Sequence, residues 1–303
     1  MSQGSIRIWI EAARPRTLPL ALSSIGMGSF LAAWQGGFKL SVFVLSAVTT
    51  VLLQVLSNFA NDYGDSQNGA DSGERRGPSR AVQSGVVSPH AMKRAVYLTA
   101  GLSFLCGVLL LWFAFASQLA NAMVFLLLGL GAIWAAYHYT AGKNPYGYAG
   151  FGDLFVLIFF GIVGVFGTYF LHTQSVEPLI LLPALSCGMF SIAVLNVNNI
   201  RDIESDRKAG KFSIPVRIGR DRAVKYHWAL LIAGLTSAVV YTLLDYQSPM
   251  QWIFLITLPL LVRNGMAVSR KKTSEQLDPF LKQMAITTLL FVLTFGVGLL
   301  FAG

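Results

Sequence analysis

Long apolar runs, separated by polar links of alternating length, organise this chain. Nine runs can be drawn, at about 17–36, 41–61, 94–116, 119–140, 152–172, 178–199, 225–244, 250–268 and 284–302. Each is close to the ~20 residues that a helix needs to cross a bilayer. The links near 37–40, 117–118, 173–177 and 245–249 are short, whereas those near 62–93, 141–151, 200–224 and 269–283 are longer and polar. The pattern predicts an all-α integral membrane protein with nine transmembrane helices, forming a single domain over 1–303.

Composition agrees with this reading. Hydrophobic residues make up 54% of the 303 and charged residues only 12%, against about 25% charged in soluble domains. The mean hydropathy is +0.58. Cys106 and Cys187 both lie inside apolar runs and match no metal-site spacing, so they read as core thiols. No short apolar core with a small-residue cleavage site opens the chain. Residues 1–16 read as an interfacial segment, and "SIRIWIEAARPRTLPL" (5–20) as its lead-in to the first span, with Trp9 and Arg16 at headgroup level.

The net charge of +9 does not point to nucleic acid, because basic residues of membrane proteins gather in cytoplasmic loops. With nine spans, 22 of the 23 Lys and Arg fall on one face, and only Lys39 falls on the other. The N-terminus and the four long loops are therefore expected in the cytoplasm, with the C-terminus across the plasma membrane. All the acids except Glu177 and Asp245 share the basic face, and they cluster.

The first cluster, "NDYGD", holds Asn61, Asp62 and Asp65, with Asp71 further on. The second, "NNIRDIESD", holds Asn198, Asn199, Asp202, Glu204 and Asp206. The clusters end the second and sixth spans, and Asn61 and Asn198 are 137 residues apart. That spacing suggests a parallel repeat, with spans 1–4 matching 5–8, and membrane proteins often place a site at such a repeat interface. Spacing of four sets side chains a turn apart on one helical face. Asn198, Asp202 and Asp206 then form one stripe of oxygens, and Asn61 with Asp65 forms its counterpart.

Two facing acidic stripes need cations. Mg²⁺ suits them, since it takes one or two carboxylates and completes its octahedron with water and phosphate oxygens. No Cys or His accompanies these acids, which argues against zinc or copper. Either cluster alone reads equally as a solvated helix end; two at matching positions favour a site. Arg80, Lys143, Lys211 and Arg217 share its face, as topology markers or as partners for phosphate charge.

These residues resemble the UbiA-type intramembrane prenyltransferases. The resemblance implies a nine-helix bundle around a central cavity, cytoplasmic loops capping it, and Asp-rich motifs on helices two and six that bind Mg²⁺ and a prenyl diphosphate. Asn198, Asp202 and Asp206 match the second motif, followed by "GKFSIPVRIG". The first motif departs: the expected third acid falls at Gly69, and the nearest carboxylate is Asp71. That spacing, with "GERRGPSRAVQSG", "GKNPYGYAGFGDLFVLIFFG" and "GTYFL", looks like the 1,4-dihydroxy-2-naphthoate polyprenyltransferase branch.

The resemblance implies transfer of a polyprenyl group to 1,4-dihydroxy-2-naphthoate, with loss of CO₂ and diphosphate, giving demethylmenaquinone. It assigns Asn61 and Asp65 to one Mg²⁺ and Asn198, Asp202 and Asp206 to another, with Asp62 and Asp71 as further ligand candidates. Lys211 and Arg80 complete a diphosphate clamp. Tyr139, Tyr146 and Tyr148 serve either as rings facing an allylic cation or as interfacial belt residues. Asp153 either orients the acceptor or balances Lys143. Gly161, Gly164 and Gly167 suit close helix approach.

Rival readings are a UbiA relative with a 4-hydroxybenzoate, phylloquinone or chlorophyll-type substrate, and an ion-coupled transporter. A transporter predicts acids at mid-membrane depth, whereas these gather at one boundary. A CDP-alcohol phosphotransferase would carry a D-G-x-x-A-R run, which is absent. No obligate protein partner is indicated.

Overall fold

The computed structural model describes residues 3–67, 80–116 and 118–302. Among these residues, nine helices are long and apolar enough to cross a membrane: α1 Ile6–Trp34, α2 Leu40–Gln67, α3 Pro89–Phe115, α4 Leu119–His138, α5 Gly152–Thr173, α6 Pro178–Arg201, α7 Arg220–Leu244, α8 Pro249–Arg270 and α9 Ser274–Leu300. Number and order follow the apolar runs. The chain is a multi-pass helical membrane protein.

The boundaries moved at the helix ends beside the long polar links. α2 continues past 61 to Gln67, carrying its acids on helix and not on loop. α3 starts at Pro89, where the Ser88 side chain accepts from the Ala91 amide at 3.2 Å and proline occupies the first turn. α1 is broken at Arg14, whose left-handed backbone (φ 50, ψ 66) leads into a 3₁₀ turn at Pro15–Thr17. Asn58 of α2 stabilises the break, donating to the Ala13 carbonyl at 2.8 Å and to Thr17 Oγ1 at 3.0 Å.

The segment before the break is the helix Gln3–Ala13. Its Trp9 ring meets Phe59 edge-on, with centroids 5.7 Å apart. Arg16 does more than mark the headgroup level, because its guanidinium lies 3.4 Å from Asp278 of α9.

α6 is the central helix, packed against α5, α7 and α9, while α1 joins the two ends of the bundle through α9. The motif-bearing helix α2 packs most extensively on α3, whereas the motif-bearing helix α6 packs about equally on α5 and α7. In the main core Phe190 of α6 meets Phe291 of α9 edge-on, and Phe254 of α8 packs against both Phe291 and Phe295.

Lipid supplies no hydrophobic drive for helices to associate, so close packing must. Gly161 shows it: a Cβ there would meet the Ala184 carbonyl at 2.9 Å and Gly188 Cα at 3.1 Å, so the α5 and α6 backbones touch. Gly164 is equally tight against Ser24, whereas Gly167 is in ordinary contact. Residues Leu157–Gly167 of α5 are π-helical, a rare winding that is frequent at functional sites. Ser24 of α1 donates to the Phe160 carbonyl within that stretch at 2.5 Å.

Candidate active site

Asn61 and Asp65 lie a turn apart on one face of α2 because the helix is continuous through both. Gly64, between them, makes the approach to the next element possible: a Cβ would sit 2.5 Å from the Thr140 carbonyl carbon and oxygen. Thr140 in turn donates to Asn61 Oδ1 at 2.9 Å and to the Ala60 carbonyl at 3.2 Å. The second stripe is less regular than its spacing predicts. α6 ends at Arg201, Asp202 adopts φ −100 and ψ 13, and a new short helix covers Ile203–Lys208. The amide of Asp202 still reaches Asn198 O at 3.1 Å, and that of Asp206 reaches Asp202 O at 2.8 Å. The three side chains therefore stay in one row despite the break.

Both rows line one cavity of about 1140 Å³. Asn61, Asp65, Asn198, Asp202 and Asp206 share its wall with Arg80, Arg201, Lys211, Tyr139 and Tyr146. The remaining wall is mostly apolar and includes Leu53, Leu111, Phe125, Phe159, Val163 and Leu171. One polar end therefore opens into a long greasy chamber.

Each candidate carboxylate carries its own cation. Arg80 pairs with Asp65, and both side chains are buried. Arg201 grips Asp202 with two bonds, Nε to Oδ1 at 2.8 Å and Nη2 to Oδ2 at 2.7 Å. Lys211 Nζ lies 3.4 Å from Asp206 Oδ1. Buried pairs of this kind are weak as stabilisers but costly to break one-sidedly, at about 3–5 kcal/mol. The site is thus close to charge balance by itself.

Burial pushes the Asp206 carboxyl up to about 6 against the pull of Lys211, and Asp202 and Asp65 add to the rise. Burial also works against the Lys211 ammonium, but Asp206, Tyr139, Asp65 and Asp202 together hold its pKa above the ordinary lysine value. The ammonium therefore keeps its charge at neutral pH. Tyr148 donates to Asp65 Oδ1 at 2.8 Å, and burial with the neighbouring carboxylate raises its phenol, keeping the proton in place.

The donor set fits a hard divalent cation. It is oxygen only, and Asp206 Oδ2 is buried without a hydrogen-bond partner. Among the described residues no tight group of three or more His, Cys, Asp or Glu forms a ready-made cage. That suits Mg²⁺, which leaves positions for water and substrate phosphate.

Several sequence expectations changed role. Asp62 is a turn brace: Oδ2 accepts from the Ala81 amide at 3.0 Å and Oδ1 from that of Val82 at 3.2 Å, which sets Arg80 over Asp65. Arg217 does not reach the cavity wall. It bonds the carbonyls of Phe212 at 2.9 Å and Ala149 at 2.8 Å, tying two loops together. Lys143 is exposed and outside the lining. Asp153 is buried and accepts from Tyr226 at 2.8 Å, so its partner is a phenol on α7 and not Lys143. Tyr146 gives its hydroxyl to Ala135 O at 2.9 Å and stacks on Phe155 at 3.9 Å. Asp71 lies outside the described residues.

Sequence reasoning missed Arg201 as anything beyond a charge marker. Its position inside "NNIRD", between two candidate ligands, was the available signal. Asp278 carried no local signal, since it lies on another helix.

The UbiA prenyltransferase family profile matches residues 21–291. A 1,4-dihydroxy-2-naphthoate octaprenyltransferase of Haemophilus influenzae is 44% identical over 302 residues, covering 99% of this chain and 98% of that protein. One from Escherichia coli is 44% identical over 289 residues, covering 94% of each. Among solved structures, a UbiA homolog from Archaeoglobus fulgidus bound to DMAPP and Mg²⁺ superposes with a TM-score of 0.64 at 17% identity, over 95% of this chain and 99% of that one. The apo UbiA homolog from Aeropyrum pernix K1 gives 0.69 at 17%, over 90% and 94%.

Proposed function

This chain belongs to the UbiA prenyltransferase family, and on that premise we propose that it transfers a polyprenyl group from polyprenyl diphosphate to 1,4-dihydroxy-2-naphthoate. CO₂ and diphosphate leave, and demethylmenaquinone forms. Relatives that share 44% identity across almost the whole chain carry the naphthoate octaprenyltransferase name. The observation that carries the reading is the meeting of two oxygen-bearing rows at the polar end of one apolar chamber. A diphosphate headgroup with a long isoprenoid tail has that same division.

Asn61 and Asp65 would hold one Mg²⁺, and Asn198, Asp202 and Asp206 the other. Bound there, Mg²⁺ supplies Lewis-acid neutralisation of the leaving diphosphate. Arg80 and Lys211, released from their carboxylates, turn to the phosphate oxygens, where charge-assisted bonds are strongest. Tyr148 keeps Asp65 aimed by its hydroxyl. As the C–O bond ionises, the electron-rich ring attacks the allylic carbon, and the apolar wall around Phe155, Phe159 and Phe160 keeps water from the cation first. Tyr139 would offer its ring beside the same space, whereas the Tyr146 ring is stacked on Phe155.

The charge asymmetry of the loops supports placing this polar end in the cytoplasm, with the chain as one transmembrane domain in the plasma membrane. The test is direct. Purified protein is incubated with Mg²⁺, a polyprenyl diphosphate and either 1,4-dihydroxy-2-naphthoate or 4-hydroxybenzoate. Release of CO₂ with a prenylated naphthoquinol is expected; turnover of 4-hydroxybenzoate alone would overturn the acceptor.

A further inference from the structure

Arg201 is a buried cation with acidic partners on both sides. Inward, it holds both oxygens of Asp202 and donates to Asn198 Oδ1 at 2.9 Å. Outward, its Nη1 lies 2.6 Å from Asp278 Oδ1. Asp278 sits in the first turns of α9, a third of its side chain exposed, and also faces Arg16 at 3.4 Å. The chain Asp202–Arg201–Asp278–Arg16 alternates in sign and joins α6, α9 and the break in α1. The Ser274 hydroxyl, donating to Arg201 O at 2.9 Å, anchors the α9 end to the backbone of the same residue. Only 2% of the Arg201 side chain is exposed, so its charge needs a carboxylate in every state of the site.

A divalent ion arriving at Asn198 and Asp202 meets oxygens that the guanidinium already occupies. The two cannot share Asp202 without like charges coming into contact. We propose that Arg201 is a built-in counter-cation that holds Asp202 until a divalent ion displaces it, and that Asp278 is the acceptor that then takes over its charge. The inference rests on the reading of Asp202 as a metal ligand. It makes Asp278, outside the cavity lining and far along the chain, a positioning residue for the second metal site. Arg16 sets how strongly Asp278 can draw Arg201 outward, because it competes for the same carboxylate. The arrangement keeps the second row folded and in place before substrate arrives, and it makes metal occupancy depend on the packing of α9 against α6.

Two opposite substitutions separate this from a merely structural role. Binding of Mn²⁺ alone, as an Mg²⁺ probe read by electron paramagnetic resonance, is measured on detergent-purified full-length protein without substrate. Arg201→Gln removes the competitor and is expected to tighten Mn²⁺ binding on the order of tenfold, the worth of a charge-assisted bond. Asp278→Asn strands Arg201 on Asp202 and is expected to weaken it by a similar factor, while Asp278→Glu restores binding. Asp202→Asn serves as the reference. If it binds Mn²⁺ as the unaltered protein does, the metal reading itself falls. If it loses binding while Arg201→Gln and Asp278→Asn are unchanged, or both weaken, the counter-cation proposal is overturned and the metal reading stands. Equal absence of uptake in all variants also overturns the proposal.

Discussion

The Tyr148 hydroxyl donates to Asp65 Oδ1 at 2.8 Å, joining the loop that follows α4 to the C-terminal end of α2. The loop is itself held by Phe212, whose amide donates to Tyr148 O at 2.9 Å. One carboxylate is thus aimed by groups from three separate parts of the chain. Tyr148→Phe should raise the Mg²⁺ concentration needed for half-maximal turnover by about tenfold, the typical effect of losing a contact that orients a ligand. A Mg²⁺ titration of initial rate checks this, and an unshifted midpoint would remove Tyr148 from the site.

Asp65→Ala and Asp202→Ala should each reduce turnover well beyond the ~100-fold expected from a supporting contact. The protein should still elute as a single folded species in detergent, with unfolding brought earlier by about 3–5 kcal/mol because Arg80 or Arg201 loses a buried carboxylate. Retention of full activity at saturating Mg²⁺ by either variant would end the metal assignment.

Lys211→Ala should raise the apparent KM for prenyl diphosphate about ten- to a hundredfold, the range for a lost bond to a charged group. It also leaves Asp206 buried without its cation, so unfolding should come earlier by about 3 kcal/mol or more. Steady-state kinetics well below the unfolding temperature separate the two effects; an unaltered KM there would deny Lys211 a phosphate role.

Metal removal should silence the enzyme without unfolding it. Asp65, Asp202 and Asp206 each retain an internal cation, so the metal-free chain has no unpaired carboxylate row to drive apart. Chelator should abolish turnover, Mg²⁺ should restore it, and thermal unfolding in detergent should move little. Loss of the folded bundle on chelation would show that the ions are structural.

Gly64→Ala should harm both stability and activity. Its methyl would lie 2.5 Å from the Thr140 carbonyl oxygen and 2.6 Å from the Ala141 amide nitrogen, none of which can swing aside. Overpacking of this sort costs about 1–3 kcal/mol, and the shift of α2 would carry Asn61 and Asp65 with it. Thermal unfolding and turnover should fall together.

The architecture was legible because bilayer thickness imposes a length on every span and loop charge imposes a direction. Nine runs became nine membrane-length helices among the described residues. The two rows were legible for a related reason: Asn-x-x-x-Asp spacing reports a helical face directly, since neighbours four apart are set by the helix itself. Those are local rules, and they survived even where the second helix breaks at Asp202. The span ends were less legible, because α2 carries polar residues for two turns beyond its apolar run and remains helical through packing on Thr140.

From its sequence alone this chain was committed to a membrane, to a nine-helix count and to two acidic rows at one boundary. Hydropathy and helical period act within a single segment, so they can be read from it. Which cation serves which carboxylate was a different matter. Arg80 reaches Asp65 only because Asp62 braces its turn, Arg217 is diverted to loop carbonyls, and Asp278 arrives from the last helix to hold Arg201. Electrostatic pairing depends on distance in space, falling off over a few ångströms, and distances between residues far apart along the chain exist only once the helices have packed.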